Sequence, residues 1–527
     1  MSNAVGGRAP VCRERSAFGV QTMSAVEEKR YVGYKEALAY GLAAGGKSFI
    51  TTPTQSGYLS LFFRKVFGVP YEAVSLMMLL SGVWDAVNDP LIGSVIDKTR
   101  TRFGKLRPWL LITPLPFAVL TVTLFGGPSF LNGVDSKGVK IAYMFVSYIL
   151  WELCYTFADV PFSGMTTAVS PLPQDRTRVI SFSTFISGIV AGASQTLLLS
   201  LMDASSTGVW DVSLRTVFLL IGVISAAFGG GLFSLAGIFT KERVVQSARQ
   251  PSVIEGFRVL VRNKPLLLIV LSNMLMSAGG LYNVFTTYYF AEVLKLNSLK
   301  LLIDIPGGAV GIGTYPFIPA IKRRFDNKQL MVIHFISKAA IGVVCFFAGF
   351  RHYASKAVAV PILMLLNIVI SIANTVKNII STEMIGDTID YMELKTGERN
   401  EGVSFAVSSF FGKLTNSVST SIATAVLPKI GLVYHTVNGE QVAVKGQKTD
   451  FYIWMFYVLV PQLLNALGVI PFFWYDLTGK RLEDIRSRLT ERREKMLAQR
   501  NAETNSDKKV FEEIPERTDR SLSEEEK

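Results

Sequence analysis

The chain has 527 residues, 49% hydrophobic and 18% charged, with a formal charge of +13 and a mean hydropathy of +0.34. On a soluble protein that charge would point to nucleic acid, but here the basic residues flank long apolar runs, so the expected partner is a lipid bilayer and not a nucleic acid. Three widely spaced cysteines, Cys12, Cys154 and Cys345, exclude a disulfide framework and a zinc module.

Residues 1–33 read as an N-terminal tail. They lack an apolar core beside a cleavage site and so are not expected to be a secretory signal. Met23, which opens MSAVEEKRY, is a candidate alternative start. About twelve apolar segments follow, near 35–63, 72–97, 107–127, 139–169, 178–202, 213–239, 265–293, 299–321, 329–350, 357–385, 401–432 and 451–475. Runs of about 20 apolar residues are membrane spans by length. Several are broken by Gly, Pro or polar residues, which spans tolerate where they line a cavity.

Even-numbered connections carry Lys98 to Arg107, Arg176, Arg178, Lys241 to Lys264, Lys322, Arg323, Arg324 and Lys328. Odd-numbered ones carry fewer basic residues, such as Arg64, Lys65, Lys137, Lys140, Arg351 and Lys356. The positive-inside rule then places both termini in the cytoplasm of a multi-pass protein of the cell membrane. The connection 240–264 contains PSVIEGFRVLVRNK, which reads as an amphipathic helix on the membrane surface. It separates a half at 34–239 from a half at 265–475. The expected fold is therefore all-α, with twelve transmembrane helices in two six-helix halves, the major facilitator arrangement. Residues 476–527 form a charged cytoplasmic tail. It starts with the helix-like KRLEDIRSRLTERREKMLAQR and is expected to be disordered from about Asn501.

Chemistry concentrates in the second segment, where WDAVNDP sets Asp85 and Asp89 in an apolar run. An ionised carboxylate there needs a cation, a partner or water. Residues four apart share a helix face, and Asn88 adds a neutral oxygen. Oxygen donors suit a hard cation such as Na⁺, or a proton. No other cofactor is indicated.

WDAVNDP with RFGKLRPW, TFADVPF at Thr156–Phe162, DTIDYMELKTGERNEG at Asp387–Gly402 and Lys413 occur in that order. Together they resemble the glycoside–pentoside–hexuronide:cation symporters, over about residues 35–475. The resemblance implies symport of a sugar-like small molecule by a monomer, with Asp85, Asn88, Asp89 and Thr156 holding the coupling ion, Na⁺ or H⁺. It implies that Asp159 lies at the sugar site and Lys413 near the cation; the ion would be a metal if Asp85 and Asp89 take Na⁺. Three positions depart from the family pattern. Lys47 is followed by Ser48 where an acid is usual, Ser163 replaces an aromatic residue, and Thr184 replaces an arginine. Missing an acid, a stacking ring and an arginine argues against a melibiose-like galactoside. Other glycosides, uronides and amphipathic solutes such as lysolipids remain open.

Lys47, Asp304, Lys338 and Lys377 are further ionisable residues within apolar runs. Lys377, with Asn378, is assigned to the solute cavity and Lys338 to a span end, while Tyr282, Tyr288 and Tyr289 are assigned to packing or an interface belt. Asp97, Arg100, Arg107 and Arg176 on one inner face, and Asp387, Asp390, Arg399 and Glu401 on the other, could lock one state of a transport cycle. An enzyme is not expected: His334, His352 and His435 are scattered, and no nucleophile–base or metal spacing is present. The absence of a Walker motif argues against ATP-driven pumping. A transporter-like sensor that binds ligand without moving it is the remaining alternative.

Overall fold

The computed structural model describes residues 31–495 apart from 171, 244–252, 278, 398–400, 438–439 and 493. Cys12, Met23, Arg399 and the tail beyond 495 lie outside the described residues.

From Tyr34 the chain is helical almost throughout. Helix α1 (Tyr34–Thr51) is followed by α2 (Ser56–Leu61), which widens into a π turn at Phe62–Val66, and by the 28-residue α3 (Tyr71–Lys98). Next come α4 (Arg107–Ile112), α5 (Pro114–Phe130), α6 (Lys137–Ala168) and α7 (Pro173–Ser206). A π turn joins α8 (Leu214–Ile224) to α9 (Gly230–Phe239). The short α10 (Val253–Arg262) precedes α11 (Lys264–Leu275) and α12 (Gly279–Tyr288). Then follow α13 (Leu299–Thr314), α14 (Ile318–Lys322), α15 (Asn327–Gly349) and α16 (Lys356–Thr396). An Asp326–Gln329 capping box starts α15, and Gly397, at a left-handed φ of 80°, ends α16. Helix α17 (Glu401–Lys429) leads into a hairpin, and α18 (Thr449–Val458) and α19 (Val460–Ala466) with a 3₁₀ stretch at Leu467–Trp474 complete the apolar region.

Eight helical stretches among the described residues are long and apolar enough to cross a membrane. The helices α3 and α17 have the length, at 28 and 29 residues, but carry Asp85 and Asp89 and, on α17, Lys413. Large apolar side chains face outward, among them Leu115 at 73% and Phe347 at 67% exposure. Such a surface requires a nonaqueous covering, which a bilayer supplies.

Helix α1 packs along α7 and α9, and α5 on α6 and α8; α16 receives α13 and α15, and α12 lies on α17 and α18. The two sets are joined chiefly by α3 on α17 and α2 on α12. The apolar core follows this division. One large cluster draws on both sets, with Tyr58, Phe62 and Met77 meeting Phe285, Tyr288 and Tyr434. Toward the opposite end the core splits. One cluster contains only residues between 32 and 236, the other only residues between 260 and 489. The bundle is thus sealed at one end and divided at the other.

A short hairpin is added to the otherwise helical bundle. Strands β1 (Leu432–Val437) and β2 (Glu440–Lys445) pair antiparallel, Leu432 opposite Lys445. Leu432 and Tyr434 point into the core while Val433 and His435 face out. That alternation, around an Asn–Gly pair at 438–439, is a hairpin signal that a search for apolar runs passes over. Leu260 of α10 is 3% exposed and joins the core cluster with Val403 and Val407, so one face of this helix packs on α17. The tail is helical over 479–492, and Ile485 and Leu489 are buried in the same cluster.

Candidate functional site

Helix α3 runs between α6 and α17, so its polar face meets both. Asp85 faces Glu152 of α6 at hydrogen-bond contact. Glu152 is 8% exposed and accepts a 2.6 Å hydrogen bond from the Tyr148 hydroxyl. Oδ1 of Asp85 is buried with no donor. A buried carboxylate oxygen without a donor, in a residue beside a second carboxyl, is completed by a proton or a cation. One turn along, Asn88 donates to the Thr156 hydroxyl at 3.2 Å, and Thr156 donates to the Glu152 carbonyl at 3.2 Å. Asp89 is paired with Lys413 of α17. The four cation residues named from sequence are therefore divided: Asp85 with Glu152, Asn88 with Thr156, and Asp89 with a lysine. Among the described residues no three His, Cys, Asp or Glu side chains converge as metal ligands.

Asp159, one turn beyond Thr156, is ion-paired with Lys47 of α1. The Lys47 ammonium also lies 4.9 Å from the Phe162 ring centre, and Tyr40 stacks on the same ring at 4.4 Å. Ser48 shares a 2.6 Å hydrogen bond with Ser187 of α7. Ser163 and Thr184 are exposed; the Thr184 hydroxyl returns to the Ile180 carbonyl at 2.8 Å. No hydrogen bond joins either to the Lys47–Asp159 pair. Because each partner of this half-buried pair is costly without the other, Lys47→Met or Asp159→Asn alone should lower the thermal midpoint. The double variant should recover part of the loss, a coupling of about 0.5–3 kcal/mol. Additive losses in a double-mutant cycle would remove the pairing from the argument.

Lys377 lines a cavity of about 510 Å³ bordered by α11, α12, α15, α16, α17 and α19. Lys338 lines it too, which corrects its placement near a span end. It sits mid-way along α15, 7% exposed, and donates to the Asn465 amide oxygen at 3.2 Å. Asp304 is held by Lys300, Asn367 and Gln195. Tyr288 and Tyr289 are buried packing residues.

The charges assigned to a gate pair within their own side of the divided end. Asp97 is bridged to Lys105. Arg107 donates to the Gly237 and Ile238 carbonyls at 2.7 and 2.9 Å, closing the end of α9. Glu242 accepts the backbone N–H groups of 105–107. Arg243 is bonded to Glu36, whose carboxylate holds the guanidinium above its ordinary range. Arg176 turns back to the Ser170 carbonyl at 2.6 Å, and Arg100 is exposed. On the other side Asp387, 4% exposed, is paired with Arg486 of the tail helix at 2.6 Å, and half-buried Asp390 lies one turn on.

The sealed end is bonded across the two sets. Asp203, closing α7, accepts from the backbone N–H groups of Asn297 and Ser298 at 2.6 Å each and from the Asn297 side chain at 2.9 Å. Lys65 pairs with buried Glu292 at 2.7 Å, which also accepts from the Tyr434 hydroxyl. Arg64 donates to the Tyr434 carbonyl, so the hairpin is tied to both.

A profile of the family described as MFS/sugar transport protein matches residues 39–479. The chain belongs to this family. Among its relatives is the glucuronide carrier protein homolog of Escherichia coli K12, 26% identical over 437 residues, covering 81% of this chain and 89% of that one. The isoprimeverose transporter of Lactiplantibacillus pentosus is 27% identical over 459 residues, covering 86% and 91%. In fold the chain is similar to a mutant of the nucleoside transporter NupG. That structure has a TM-score of 0.57 at 15% identity and covers 83% of this chain and 100% of that one.

For this MFS/sugar transport protein, the residue the sequence reading missed is Glu152. Its signal was present: an acid inside the apolar run ILWELCYTF, four residues before Thr156. The reasoning applied to Asp85 and Asp89 applies to it equally.

Proposed function

We propose that the protein is a cation-coupled symporter of a sugar-like solute and not an enzyme, and that its coupling ion is a proton carried by the Asp85–Glu152 pair. In this reading twelve spans form two six-helix halves, both termini are cytoplasmic, and the chain works as a monomer in the cell membrane. The carrying observation is the buried, donorless Oδ1 of Asp85, in a residue that has the buried carboxyl of Glu152 as its neighbour. The adjoining Asn88–Thr156 oxygens favour Na⁺ as the second reading. The core, continuous at the hairpin end and split at the other, supports an inward-open state. Asp97 and Arg107, and opposite them Asp387 with Arg399, would meet when that end closes. Solute binding near Lys47–Asp159 and the Lys377 cavity, with the two halves rocking about it, gives alternating access. Linkage requires the proton and the solute to tighten each other equally.

Solute accumulation in proteoliposomes, across neutral and acidic glycosides against imposed pH or Na⁺ gradients, tests this. Accumulation that follows pH and ignores Na⁺ is expected. Accumulation that requires Na⁺ would assign the ion to Asp85, Asn88, Asp89 and Thr156. Saturable binding with neither accumulation nor counterflow would leave a sensor.

A further inference from the structure

The cavity bordered by α15, α16 and α17 contains two amines and no acid. Its lining includes Lys338, Lys377, Asn273, Asn465 and Ser408, and among its described residues there is no Asp or Glu. Lys338 has only amide oxygens as partners, those of Asn465 at 3.2 Å and Asn374 at 3.4 Å. Lys377, from the facing helix, lines the same cavity and has no hydrogen bond or ion pair among the described residues. His334 makes no hydrogen bond to either lysine. Its Nδ1 meets the Ala373 carbonyl at 2.9 Å, and its Nε2 is buried without a partner.

A buried ammonium bonded only to neutral amides is poorly compensated, and two in one cavity repel. Every other lysine that the structure places inside the described spans and that the sequence analysis singled out, Lys47 and Lys413, has a carboxylate. The missing charge in this cavity is negative, and the volume of about 510 Å³ admits a molecule of sugar size.

We propose that Lys338 and Lys377 form an anion subsite that takes the carboxylate, or an equivalent acidic group, of an acidic glycoside. The inference rests on the symporter reading and names its substrate class. Asn273, Asn465 and Ser408 supply neutral hydrogen bonds for hydroxyls around the bound anion. Gly412 also lines the cavity, and the next residue, Lys413, holds Asp89. Helix α17 therefore touches solute cavity and coupling-ion site within one turn, a direct route for the linkage between them.

The test is calorimetric titration of the full chain in nanodiscs with methyl β-D-glucuronide, its neutral counterpart methyl β-D-glucoside, and sodium sulfate. Wild type should bind the glucuronide about tenfold to a hundredfold more tightly than the glucoside, the range of charge-assisted hydrogen bonds. Lys377→Gln, which breaks no bond among the described residues of the ligand-free protein, should erase that preference. Lys338→Arg, which keeps the charge, should retain most of it. Equal binding of the two glycosides, lysine-independent binding of the glucuronide, absence of glucuronide binding, or lysine-dependent binding of sulfate alone would each overturn the proposal. Counterflow of a neutral glycoside in the wild-type protein reports separately on transport, so failure of the anion subsite is distinguishable from failure of the symporter reading.

Discussion

Replacing Glu152 by Gln is expected to leave solute exchange running while removing accumulation driven by a pH gradient. The amide keeps the 2.6 Å contact with Tyr148 possible but can no longer share a titrating proton with Asp85. Accumulation should fall about 5- to 150-fold, the span of an ordinary coupling free energy. Asp85→Asn should do the same, and the double variant should be no worse than either, because the two acids act as one proton carrier. Asp89→Asn leaves Lys413 without its carboxylate; because both partners are partly exposed, the stability loss should be about 1 kcal/mol. Accumulation in proteoliposomes against fixed pH and Na⁺ gradients measures the first three variants, and the thermal midpoint the fourth. Full pH-driven accumulation by Glu152→Gln would sink the pair and return the coupling to Na⁺ on Asp85, Asn88, Asp89 and Thr156.

The second large effect is expected at the sealed end. A Cβ on Gly57 would lie 2.5 Å from the Asn283 carbonyl of α12, and backbone does not yield as a flexible side chain does. Gly57→Leu should therefore pry α2 from α12, at an overpacking cost of about 1–3 kcal/mol. That is enough to move the population about 5- to 150-fold away from the sealed state. Asp203→Asn should act in the same direction more gently, by weakening its bonds to Asn297 and Ser298. Spin labels at Val209 and Ser355 would report lengthening across this end, and labels at Arg102 and Arg324 shortening across the other. Unchanged distance distributions in Gly57→Leu would mean that the hairpin end is not a gate.

What was legible in the sequence follows from what an apolar setting makes conspicuous. Acids at 85 and 89 stand out in a hydrocarbon-length run, and their relation to Lys413 follows from charge balance. Glu152 was equally visible by that rule, but it lies among aromatic residues and outside the motif that drew attention. Lys338 was misplaced because the ends of an apolar run do not reveal depth once a helix is packed against neighbours. The hairpin at 432–445 escaped a reading tuned to long apolar stretches. The gate charges were visible as charges, but which partner each takes depends on the conformational state. Composition does not encode that state: Arg107 clamps α9, and Asp387 takes Arg486 from a tail that reads only as a charged helix.

That last contact fixes the end of the chain to one arm. Ile485 and Leu489 are buried beside α17, and Arg486 holds Asp387, so the tail helix belongs to the same body as Lys413 and the lysine cavity. A fluorophore placed just after it would ride with that body and serve as its stationary reference. A partner probe on the Asp97–Lys105 turn would then report the swing of the opposite arm through each turnover.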